Sequence, residues 1–64
     1  MKNFGEEFNN QYLVVLNGNL VKKSFSNKKP ALRWCLRYSV NKNNYVELWY
    51  QHGNGSAVLC DYWN

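Results

Sequence analysis

The chain has 64 residues, 45% hydrophobic, 17% aromatic and 19% charged, with a net charge of +4. That mixture excludes a disordered polar tail, and a chain this short makes one domain, residues 1–64, with a core supplying roughly 3–5 kcal/mol. The longest apolar run, Tyr12 to Leu16, falls far below the roughly 18 residues that span a bilayer, so no membrane partner is expected. Residues 1–10 are polar apart from Phe4 and Phe8, one helical turn apart. They form an arm that either presses its rings onto the domain or hangs loose.

Tyr12–Leu16 and Leu20–Phe25 read as two strands joined through Asn17-Gly18, the strongest short hairpin signal. Both faces of the first strand are apolar, which predicts a central strand covered on both sides. Lys22 and Lys23 mark the second as an edge strand, kept from pairing with strangers by its charge.

Residues 27–42, NKKPALRWCLRYSVNK, form the one convincing helix. Asn27 is a good N-cap, and Pro30 falls in the first turn, where its missing N–H is harmless. At 100° per residue, Ala31, Leu32, Trp34, Cys35, Leu36 and Tyr38 occupy one broad arc. Lys29, Arg33 and Arg37 stack along the opposite side.

Tyr45–His52 and Ala57–Trp63 read as the last two strands, turning through Gly53-Asn54-Gly55-Ser56. The predicted class is α+β, order β-β-α-β-β: a four-stranded antiparallel sheet with one helix packed on one face.

Little here points to catalysis. His52 is the only histidine, and Glu6, Glu7, Glu47 and Asp61 are the only acids. No pair of them has the spacing of an acid–base or nucleophilic site, although His52 and Asp61 could meet across the last hairpin. One histidine with Cys35 and Cys60 does not make a zinc site, so no metal, cofactor or enzymatic activity is expected. The opening Met1 to Glu7 lacks a signal-peptide core, which predicts a cytoplasmic location and two free, buried thiols. Eleven asparagines and the lysine usage fit an AT-rich genome, as in low-GC bacteria and their phages. Size, bias and aromatic load resemble in style the accessory proteins of phages and mobile elements, though no specific motif carries that resemblance.

The helix supplies the functional signal. Lys29, Arg33 and Arg37 repel one another by a few tenths of a kcal/mol per pair. Lys28 and Lys29 also sit at the helix N-terminus, where the macrodipole favours acids. Local rules broken in this way concentrate at functional sites. One helix also leaves the other sheet face open, bearing Tyr45 and Trp49, with Trp63 on a neighbouring strand. The alternative is that Phe4 and Phe8 fold over that face.

The expected function is a small non-enzymatic binding protein that modulates an acidic host protein, such as a nucleic-acid-handling enzyme. Lys28, Lys29, Arg33 and Arg37 would steer, and Tyr45, Trp49 and Trp63 would anchor. The second reading is direct nucleic-acid binding through Lys22, Lys23, Lys28, Lys29, Arg33 and Arg37. The third is a structural homodimer joined through the open sheet faces.

Overall fold

The computed structural model describes residues 2–41 and 43–64, apart from the side chain of Lys22. Its elements are a 3₁₀ turn (Glu6–Phe8), β1 (Gln11–Leu16), β2 (Asn19–Phe25), α1 (Lys28–Ser39), β3 (Val46–Gln51) and β4 (Ala57–Trp63). The strands form one sheet in the order β2-β1-β3-β4, every neighbouring pair antiparallel. The predicted α+β architecture is what the chain adopts. Because β2 and β3 flank β1, they run parallel to each other, and α1 is the crossover that joins them.

Asn17 and Gly18 both have positive φ, 52° and 84°, the backbone that a two-residue turn of matching twist requires. Asn17 also works at a distance. Its N–H donates to Tyr45 O at 2.7 Å, its Oδ1 accepts from Tyr45 N at 2.6 Å, and its Nδ2 donates to Asn44 Oδ1 at 3.1 Å. Asn44 in turn donates to the carbonyl of Tyr38 near the end of α1. The asparagines thus tie the first hairpin, the helix end and the start of β3 into one polar knot.

β1 is central, as its two apolar faces predict: Leu13, Val14 and Val15 are all buried. On the helix side, Val14, Val46 and Leu48 meet Ala31 and Cys35, ringed by Tyr12, Leu16, Val21, Phe25, Trp34, Tyr38 and Trp63. On the far side, the arm lies over the sheet rather than hanging loose. Phe4 meets Trp49 edge-on at 5.6 Å, and Lys2 Nζ stands 5.2 Å from both rings.

The arm is held by Gln51, the one buried polar side chain among the described residues. Its Oε1 accepts from Phe4 N, and its Nε2 donates to Gly5 O and to Asn9 Oδ1, each at 2.8 Å. Lys2 then forms a single bridge with Ala57 at the start of β4. Gly55, at φ 90°, leaves room for Asn3, whose Nδ2 would lie 2.7 Å from any added Cβ.

Two local expectations are corrected. Asn27 has the extended backbone of a cap but makes no capping hydrogen bond. Both thiols are free, yet only Cys35 is buried; Cys60 is exposed because β4 lies at the sheet edge.

Candidate functional site

α1 forms because its apolar residues recur on one side and Pro30 enters in the first turn. Burying Ala31 and Cys35 against the sheet turns Lys29, Arg33 and Arg37 outward, and all three are exposed. The strand beside the helix adds to this ridge. Lys23 of β2 places its Nζ 4.8 Å from the ring centre of Trp34, and the Arg37 guanidinium carbon lies 5.8 Å from it. Trp34 packs in turn on Phe25 and Tyr38. The indole is therefore a shared seat for two cations, and it fuses the helix stripe with the β2 edge into one positive face.

Three of the four acids lie on the other side of the sheet, and the fourth, Asp61, is on the opposite edge strand. Glu6 and Glu7 belong to the arm that crosses the far side of the sheet. Glu47 accepts hydrogen bonds from Tyr45 Oη at 2.9 Å and Trp49 Nε1 at 3.2 Å. That bond to Glu47 raises the Tyr45 pKa, since a carboxylate acceptor favours the neutral phenol. Asp61 accepts from Tyr62 N on β4. Among the described residues, no acid comes within the 4.0 Å of a salt bridge to any cation.

The structure groups Lys28, Lys29, Arg33 and Arg37 with Lys23, while the Lys22 side chain lies outside the described residues. It does not bring the three anchoring rings to them. Tyr45 and Trp49 lie on the opposite face of the sheet, and Trp49 is half-buried under Phe4 and Lys2. Trp63 packs into the helix-side core. Alternation correctly put Tyr45 and Trp49 on one face, but period-two patterning has no means of saying which side a helix will take.

His52 turns its ring edge-on to Tyr50, 5.1 Å between centres, and its backbone N–H donates to Ser56 O. Asp61 pairs across from Leu48, five residues beyond Ser56. At the rise of a strand that is about 15 Å, so the hairpin register keeps the two apart. Among the described residues, no three His, Cys, Asp or Glu side chains cluster as metal ligands. Among the described residues, no helix is long and apolar enough to cross a membrane.

Burial, with the negative charge of Asp61 second, pushes the Cys35 thiol up to about 11. Cys60 is also raised, chiefly by desolvation, with Lys28 opposing. Neither is poised as a nucleophile. Compared with known proteins, the chain matches no family, no curated protein and no solved structure.

Proposed function

We propose that this protein is a small non-enzymatic binding protein, carried by a phage or mobile element, that modulates an acidic host protein by docking through the α1–β2 face. The observation that carries this reading is the ridge Lys29, Arg33 and Arg37, extended by Lys23 and Lys28, with Glu6, Glu7 and Glu47 on the other face of the sheet and Asp61 on the opposite edge strand. Crowding these charges costs stability locally, and a carboxylate-rich partner removes the cost. The composition, rich in asparagine and lysine, supports the origin.

An acidic protein suits the surface better than unpaired bases do. Base stacking needs a bare aromatic face, whereas the indoles of Trp34, at the ridge, and Trp49 are occupied. Lys23 and Arg37 sit at Trp34, and Phe4 and Lys2 sit at Trp49.

The test compares capture from host lysate by the wild type and by an Arg33→Glu/Arg37→Glu variant, alongside titrations with random-sequence DNA and RNA. The expected result is an acidic protein retained by the wild type and lost from the variant, with no nucleic-acid binding at low salt. Identical captures would make the ridge a solvated surface and end the proposal. Binding to DNA or RNA with a log–log salt slope near −0.7 to −0.9 per phosphate would replace it with nucleic-acid recognition.

A further inference from the structure

The β4 edge is lightly guarded, by Asp61 on the Tyr62 N–H and by Lys2 at Ala57. β4 runs seven residues without lysine or proline, and among the described residues its backbone pairs only with β3, apart from the Lys2 bridge at Ala57. Val58, Leu59 and Tyr62 are 45%, 43% and 55% exposed. Free N–H and C=O groups on such an edge template another strand, which is why edges are normally charged, short or covered.

One irregularity decides what fits there. The register passes from Trp49↔Leu59 to Leu48↔Asp61, so Cys60 is an inserted residue. Ala57, Leu59 and Tyr62 consequently share the face away from α1, while Val58, Asp61 and Trp63 share the helix side. Ala57 donates its N–H outward, to Lys2 O at 2.9 Å. The other members of its set, Leu59 and Tyr62, present their backbone groups to the same edge, where Asp61 Oδ1 holds the Tyr62 N–H at 2.8 Å until a strand replaces it. Outward groups therefore recur after two residues and then after three. A regular foreign strand, spaced by two throughout, loses register at Cys60. A strand carrying the same insertion keeps it.

We infer that the occupant of this edge is a second copy of the chain, paired antiparallel about a two-fold axis between Cys60 and Asp61. Leu59 of each copy then lies opposite Tyr62 of the other, and Val58 opposite Trp63, with each pair on one face of the joined sheet. The two insertions face each other and cancel. Asp61, the only charge on β4, comes opposite Cys60 of the other copy, whose own Lys28 already acts electrostatically on that thiol. The cationic faces, carried by α1 and the β2 edge, end up at opposite poles of an eight-stranded sheet. A standard interface needs about 800 Å² per partner, just under a fifth of the chain's 4404 Å² surface. Tyr45, which touches Tyr62 ring to ring, widens the apolar surface beside β4.

Sedimentation equilibrium of the full chain over a wide micromolar range tests this. The expected result is one concentration-dependent step from 7.6 kDa to twice that mass, absent in Leu59→Lys and intact in Arg33→Glu/Arg37→Glu. Amide exchange on the wild type reads the same contact without a variant: Leu59 and Tyr62 slow by about tenfold on concentration and Lys23 does not. A chain that stays monomeric, open-ended oligomers, or a dimer without slowing at those two amides would each overturn the inference. So would a dimer dissolved by the Arg33/Arg37 reversal, which would move the contact to the cationic face. Because that reversal is expected to cost the acidic partner and spare the dimer, the two proposals fail separately.

Discussion

β2 and β4 both end the sheet and both run seven residues, yet they meet solvent on different terms. β2 carries two lysines, packs Val21 and Phe25 against the core, and seats Lys23 on Trp34 of the helix above it. β4 exposes Val58, Leu59, Cys60 and Tyr62 and has one charge. The cause is dimensional. A helix about 10 Å across covers two to three strands spaced about 4.8 Å apart. α1 sits over β1, β3 and β2, and the fourth strand is left to the N-terminal arm, whose described residues bridge it at Ala57. A sheet with one helix has one covered edge, and the other is either defended by charge or used.

The largest expected effect comes from Gln51→Ala, which removes the three side-chain bonds from Gln51 to the arm. Stability should fall by about 2–3 kcal/mol in urea denaturation. A loss below about 0.5 kcal/mol would mean that the arm guards nothing.

The next effect reads the electrostatic link between α1 and β4. Cys35 keeps its thiol up to about 11 in the folded chain, against an ordinary value of 9.0. The folded state thus holds the proton more tightly. Stability is full below pH 9 and declines as pH rises toward 11, by about 2 kcal/mol in all. Cys35→Ala should lack that decline when both are unfolded in urea across the range, and Asp61→Asn should shrink it.

Gly55→Ala forces a side chain into a φ of 90° and against Asn3, at an expected cost of about 1–2 kcal/mol. Its midpoint should shift with no change in the slope against denaturant.

The smallest effects on stability, within about 1 kcal/mol, come from exchanging the character of the edges. Leu59→Lys should lower self-association, and Lys23→Leu should raise it by opening β2. Light scattering on both would erase the contrast between the edges if neither changed.

The cationic ridge was legible because helical periodicity places Lys29, Arg33 and Arg37 together whatever the helix packs on. Its extension was not. Lys23 reaches Trp34 only because β2 lies under that flank of α1, a contact between residues eleven apart in the chain. The arm was half legible: two phenylalanines announced apolar area to bury, but the clamp on Gln51 spans more than forty residues. Likewise, nothing in Ala57–Trp63 distinguishes an edge from a centre. Its apolar residues at both parities would equally suit a strand buried on two sides.

By itself the sequence determined what depends on neighbours a few residues apart. That covers the Asn17-Gly18 turn, the two-sided burial of β1, the charged edge at β2, the amphipathic helix and the α+β order. Tertiary structure alone decided which sheet face α1 covers, where β4 sits, the insertion at Cys60 and the separation of the cationic ridge from Tyr45 and Trp49. The physical reason is that alternation and periodicity set the direction of a side chain relative to its own backbone. What it meets there depends on strand order and helix width, which belong to the assembled chain.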